Sequence, residues 1–228
     1  MKLDVDLVIF DLDGTLLNTA PDIERCVNLA MKDYGLPAMS RERVLEIIGP
    51  GGRAFQDALV PDPKLKNKAE EIVQTYRSYY TKSNTLLTRP FDGVVDVLNT
   101  LRDTGVPMYV ASNKPQAQCI QILQALKLDH YFRAIYGPEA TPHPKPEPNV
   151  LHLIMEQTGA SPERTVMVGD TNNDMAAGHA AGVTTVFVSW GYVPESAIPA
   201  ELIDVVIDTP GDLLDLDIAE LRRKRDAA

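Results

Sequence analysis

Val5-Asp6-Leu7-Val8-Ile9-Phe10-Asp11-Leu12-Asp13-Gly14-Thr15-Leu16 is the stretch that decides the fold. Its first half is a short apolar, β-branched run, the pattern of a strand buried on both faces of a parallel sheet. The run stops at Asp11-Leu12-Asp13-Gly14. There two carboxylates at i and i+2 project from the same side of an extended chain, and Gly14 lets the chain turn away sharply. Paired acids at a strand end suit a hard cation such as Mg²⁺. They also suit a division of labour between a nucleophile and an acid/base group. An isolated Asp-Gly pair is most often only a turn, so the rest of the chain must carry the distinction. An EF-hand is excluded, because Gly14 falls at the wrong loop position and no glutamate closes a twelve-residue loop.

Two similar runs lie far downstream. Val106 to Ala111 ends at Ser112-Asn113, and Thr165 to Val168 ends at Gly169-Asp170. Thr184–Val188 and Val205–Ile207 also read as strands. Helical periodicity separates them at Val94 to Thr104, Gln116 to Leu126, Asn149 to Gln157 and Met175 to Ala181. Strand alternating with helix predicts an α/β fold: a Rossmann-like, mostly parallel sheet flanked by helices. Sites in such sheets gather at the carboxyl ends of the strands.

The alternation breaks between about residues 18 and 85, where only helical patterns occur: Asp22 to Tyr34, Arg41 to Ile48, Gly52 to Leu59 and Lys66 to Lys82. About 65–70 residues is too long for a βα loop and long enough for a small domain. The expected organisation is an α/β core of residues 1–17 and 86–228, with an inserted all-helical cap of residues 18–85. The tail from Ile218 to Ala228 is charged and reads as a frayed surface helix.

With 22 basic and 32 acidic residues the net charge is −10, which argues against a nucleic-acid partner. No apolar run approaches the ~20 residues of a membrane span. Cys26 and Cys119 cannot build a disulfide framework or a cysteine zinc site and read as reduced core thiols. With no signal-type leader, a cytoplasmic protein is expected. Oligomeric state is not legible. An acidic chain that handles phosphate needs a metal ion or a lysine at its site.

Other polar groups sit at predicted strand ends or before helices. Asp170 and Asp174 fall one turn apart if a helix starts there, although helix capping by Asp170 would also explain that cluster. Ser112 and Asn113 offer donors to phosphate oxygens, or a turn. Lys145 stands among four prolines in Pro142-His143-Pro144-Lys145-Pro146-Glu147-Pro148. Gly49-Pro50-Gly51-Gly52-Arg53-Ala54 fits a dinucleotide fingerprint in letters only, since it follows a helix and not a strand. It reads instead as a substrate-facing cap loop, with Gly51 and Arg53 setting specificity and Arg53 reaching an anionic leaving group. His143 and Lys114 have no assignable role.

In this order, Asp11-Leu12-Asp13-Gly14-Thr15, Ser112-Asn113, Lys145 and Gly169-Asp170-x-x-x-Asp174 resemble the haloacid dehalogenase-like hydrolase superfamily, in its phosphatase branch with a helical cap. The resemblance covers essentially the whole chain. Thr19-Ala20-Pro21, Ile48-Gly49-x-Gly51, Ser112-Asn113-Lys114-Pro115 and Trp190-Gly191-Tyr192 are similar to phosphoglycolate phosphatases. Thr15 stands where related sugar-phosphate mutases usually show valine, and Asp13 is absent from the dehalogenase branch.

The resemblance implies an Mg²⁺-dependent phosphomonoesterase acting on a small phosphorylated metabolite. Asp11 would be the nucleophile that becomes an aspartyl-phosphate, and Asp13 the acid/base group. Ser112, Asn113 and Lys145 would bind phosphate. Asp11, Asp13 through its main-chain carbonyl, and Asp170 would hold the metal, with Asp174 in support. A phosphoglucomutase-like transferase is the alternative on this scaffold. A phospho-accepting receiver module is a third reading, and the long cap counts against it.

Overall fold

The computed structural model describes residues 2–48, 52–60 and 62–226. β1 (Leu7–Phe10) leads through the acidic turn into the two-residue strand β2 (Leu17–Asn18), which pairs antiparallel with β3 (Arg89–Pro90). Then come β4 (Met108–Ala111), β5 (Ala134–Tyr136), β6 (Thr165–Gly169), β7 (Thr184–Val188) and β8 (Val205–Ile207). The main sheet has the order β5-β4-β1-β6-β7-β8, and every neighbouring pair is parallel. β1 is central. Phe10 is in register with Val110 on one side and Val168 on the other, so the ends of β1, β4 and β6 are level and deliver their polar residues to one edge.

β1 alternates across the sheet with a period of two. Val8 and Phe10 enter a core with Val97, Leu98 and Leu101 of α5 (Val94–Asp103). Leu7 and Ile9 enter the opposite core with Leu151 and Ile154 of α7 (Asn149–Thr158). α6 (Gln116–Ala125) and α8 (Asn172–Ala180) follow β4 and β6 directly.

Between β2 and β3 the described residues are helical: α1 (Ala20–Asp33), α2 (Arg41–Ile47), α3 (Gly52–Leu59) and α4 (Ala69–Ser83). α1 starts with Pro21 in its first turn, where a missing N–H costs nothing. It buries Ile23, Val27, Ala30 and Met31 on one face, and Gly35 follows at φ +65°. That face packs on Ile72, Val73, Tyr76 and Tyr80 of α4.

Both chain crossings into this insert are tied by one buried acid. Asp22 Oδ2 accepts hydrogen bonds from Leu87 N at 2.8 Å, Thr88 N at 2.8 Å and Thr88 Oγ1 at 2.9 Å. Its Oδ1 pairs with Arg25 at 3.2 Å.

The structure departs from the sequence reading in its short strands, in the start of α4 and in the tail, and it decides the reading of Asp170. β5 and the β2–β3 pair carry no sequence signal, because two- and three-residue strands show no readable alternation. α4 begins at Ala69 and not Lys66, after a 3₁₀ turn at Pro63–Leu65. Asp170 is not a helix cap and lies before α8, where Thr171 caps and Asp174 completes a capping box. The tail helix α9 (Ile218–Asp226) is docked and not frayed: Ile218 is buried, and Arg222 and Arg225 donate to the carbonyls of Gly182 and Val183 at 2.9 and 3.1 Å.

Candidate active site

The level ends of β1, β4 and β6, with the Lys145 loop, form the floor of a cleft of about 590 Å³. Asp11, Asp13, Ser112, Asn113, Lys145 and Asp174 all line it, and Ile23, Ile48, Phe55, Tyr76 and Arg77 of the helical insert form the facing wall. Asp170 is fully buried just beneath. Gly51 and the side chain of Arg53 fall outside the described residues. His143 is exposed and is not part of the lining.

Two lysines divide the acids between them. Lys145 Nζ lies 2.9 Å from Asp11 Oδ1 and also binds Asp174 Oδ1. The second oxygen of Asp174 accepts from Thr171 N at 3.0 Å and Thr171 Oγ1 at 2.7 Å. Asp13 is served separately. Lys114 Nζ donates to its Oδ2 at 2.7 Å, and Thr19 Oγ1 donates to its Oδ1 at 2.6 Å. Lys114 also stands 4.8 Å above the Tyr80 ring of α4, a cation–π contact from the insert to the core.

Asn113 Nδ2 donates to the carbonyl of Lys145 at 2.8 Å and so fixes the lysine loop. Ser112 Oγ accepts from Lys114 N at 3.3 Å.

Asp170 is gripped on all sides. Thr15 Oγ1 donates to it at 3.2 Å and Tyr192 N at 2.8 Å. Gly14, at φ +83°, and Gly191 press so close that a Cβ on either would overlap the Asp170 side chain. Tyr192 turns back to accept from Thr19 N at 2.7 Å and Ala20 N at 3.0 Å, and so joins Asp170 to the start of α1.

Burial pushes the Asp11 carboxyl up to about 7 against the pull of Lys145, with Asp174 and Asp13 adding to the rise. Burial, then the charges of Asp174 and Asp11, push Asp170 well above the ordinary carboxylate range. Burial works against the charge on Lys145 and Lys114, yet Asp11 with Asp174, and Asp13, outweigh it and raise both lysines.

Asp11, Asp170 and Asp174 each bring a carboxylate oxygen within 4.8 Å of the others. Oxygens on opposite sides of one Mg²⁺ stand about 4.2 Å apart, twice a ~2.1 Å bond. An all-oxygen, buried set whose charge Lys145 offsets only in part fits a small hard divalent cation.

Lys114, Thr19, Gly191 and Tyr192 were given no role by sequence, although each stands in a stretch that carries the family resemblance.

This arrangement has close counterparts. Residues 8–188 match the family model described as haloacid dehalogenase-like hydrolase. The chain is 36% identical to phosphoglycolate phosphatase 1 of Pseudomonas aeruginosa, over 91% of this chain and 78% of that protein. It is 33% identical to a phosphoglycolate phosphatase of Aquifex aeolicus, over 92% and 95%. It is 31% identical to the N-acetylmuramic acid 6-phosphate phosphatase of Pseudomonas aeruginosa, over 94% and 96%. A crystal structure of a predicted phosphoglycolate phosphatase from Haemophilus somnus superposes with a TM-score of 0.87 at 29% identity, covering 93% of this chain and 97% of that one. The chain belongs to the haloacid dehalogenase-like hydrolases, and within them it is a phosphoric monoester hydrolase. Among the described residues no helix is long and apolar enough to cross a membrane.

Proposed function

We propose that this enzyme hydrolyses a small phosphate monoester through an aspartyl-phosphate on Asp11, with Mg²⁺ as cofactor and residues 18–85 as a cap over the cleft. The observation that carries the reading is the separation of Asp11 and Asp13: two carboxylates two residues apart, each with its own lysine. Separate environments are what give two like groups two roles.

Asp11 attacks phosphorus and the bond to the ester oxygen breaks. Asp13 passes a proton to that oxygen, and the alcohol leaves. Asp13 then takes a proton from water, the hydroxide oxygen attacks phosphorus, and the bond to Asp11 breaks to release phosphate. Lys145 holds Asp11 in place and Asn113 holds the Lys145 loop, since phosphoryl transfer is catalysed mainly by positioning and charge neutralisation. Asp11, Asp170 and the carbonyl of Asp13, with Asp174 in support, would hold Mg²⁺, which would supply positive charge to let a carboxylate approach a phosphate.

The names of the relatives point to phosphoglycolate or a similar phosphorylated acid as substrate. A panel of small phosphate esters with Mg²⁺, read as released inorganic phosphate, tests the reading. A phosphate moved within the substrate, with none released, would mean a mutase.

A further inference from the structure

Arg77 stands out in the cleft wall. It lies on α4, partly buried, facing the same space as Asp11, Asp13 and Lys114. Of the cations in the lining, Lys145 is committed to Asp11 and Asp174, and Lys114 to Asp13. Arg77 has no hydrogen-bond or carboxylate partner among the described residues. A guanidinium carries five donors and stays charged at any working pH. Without a protein partner among the described residues, at the wall of a cleft, those donors are available to an anion.

The surroundings narrow the ligand. Thr81, one turn further along α4, lines the cleft beside it, and Gln118 and Gln121 of α6 close the wall with neutral polar groups. The one acid at this rim, Glu139, is already accepting from Gln116 N at 3.1 Å. On the phosphomonoesterase reading the phosphate itself sits at the floor of the cleft, beside Asp11.

A phosphate ester that needs a second cation is one whose alcohol portion carries its own negative charge. Phosphoglycolate and N-acetylmuramic acid 6-phosphate, the substrates in the relatives' names, differ widely in size, yet both pair a phosphate ester with a carboxylate.

Resting on the phosphomonoesterase reading, we infer that Arg77 is the specificity residue of this enzyme: its guanidinium binds the carboxylate of a phosphorylated acid while Asp11 engages the phosphate. This places the reader of the leaving group at Arg77 of α4 and not at Gly51 and Arg53. Arginine suits the role because its planar fork meets both carboxylate oxygens.

The test compares phosphoglycolate with 2-hydroxyethyl phosphate, which replaces the carboxylate by a hydroxymethyl group of similar size. The readout is the ratio of the two kcat/KM values in the wild type and in Arg77→Ala, Arg77→Gln and Arg53→Ala. In both Arg77 variants the preference for phosphoglycolate is expected to fall about ten- to a hundredfold, the range of a lost charge-assisted bond, chiefly through KM. Arg53→Ala is expected to keep the ratio. An unchanged ratio in both Arg77 variants, or a ratio that falls only in Arg53→Ala, overturns the assignment. If the wild type releases phosphate from neither ester, the hydrolase reading fails with it. Release from both with an unchanged ratio defeats the role of Arg77 alone.

Discussion

Lys114 Nζ and the Asp13 carboxylate stand 2.7 Å apart, joined across 101 positions of chain. Both side chains are nearly buried, so neither charge is satisfied by solvent and each depends on the other. With Thr19 on the second carboxylate oxygen, the pair sets the orientation of the group proposed to shuttle the proton. Because Lys114 also rests on the Tyr80 ring of α4, the helical insert reaches Asp13 through this lysine as well as through Thr19.

Removing Lys114 should therefore cost both fold and turnover. Lys114→Met leaves a buried carboxylate unpaired, and urea unfolding is expected to show a loss of about 3–5 kcal/mol. Asp13→Asn in the same chain should recover part of it. Losing proper control of the proton should lower kcat about a hundredfold or more. Equal stability of Lys114→Met and wild type would show that the pair contributes nothing net.

Asp11→Asn keeps the shape of the side chain and removes the attacking charge. Activity should fall by at least about a thousandfold, because a lost nucleophile is rarely replaced. Rapidly quenched wild type should carry its phosphoryl label on Asp11. Label on a serine or histidine would end the mechanism.

Metal binding should depend on pH. The Asp11 carboxyl stands near 7 where an ordinary aspartate stands near 3.8, and burial is the main cause. Between those values the native protein without metal holds a proton that the unfolded chain does not. The contribution of Asp11 to stability therefore declines as pH rises towards 7. Mg²⁺ favours the charged form and must displace that proton at lower pH. The rise in Tm on adding Mg²⁺ should be larger at pH 8 than at pH 6, and chelator should abolish turnover. A larger rise at pH 6 would contradict Asp11 as a ligand.

Gly191→Ala should impair the metal site without touching an acid. The added Cβ overlaps the Asp170 side chain, which must move from its bonds with Tyr192 N and Thr15. The Mg²⁺ concentration for half-maximal activity is expected to rise about ten- to a hundredfold, the usual cost of losing support behind a ligand. An unchanged metal requirement would mean that Asp170 tolerates displacement.

Asp22 should prove structural, with a large effect far from the chemistry. Asp22→Ala orphans the buried N–H of Thr88 and frees Leu87 N, and should cost about 3 kcal/mol in thermal or urea unfolding. Asp22→Asn, which keeps one acceptor oxygen, should cost less. If the two variants lose stability equally, the bonds to residues 87–88 are not what holds the crossing together.

The parallel sheet and its active edge were legible because both depend on local patterns. A buried strand must be a short apolar run, the chain must turn where it ends, and the polar residues at those turns are therefore marked by position. Asp11, Asp13, Ser112, Asn113, Lys145 and Asp174 could be collected into one cleft from that rule, with Asp170 beneath them. The helical insert was legible for the same reason, as 3.6-residue periodicity without strands. β5 and the β2–β3 pair were not, because they are two or three residues long and pair with strands distant in sequence.

Only the tertiary structure decided which lysine serves which acid. It placed Lys145 on Asp11 and Asp174, gave Asp13 to Lys114, and enclosed Asp170 between Gly14 and Gly191. It also left Arg77 facing the cleft without a partner among the described residues. Sequence order says nothing of these matters, because the distances that set electrostatic interactions inside a protein are fixed by packing between elements and not by spacing along the chain.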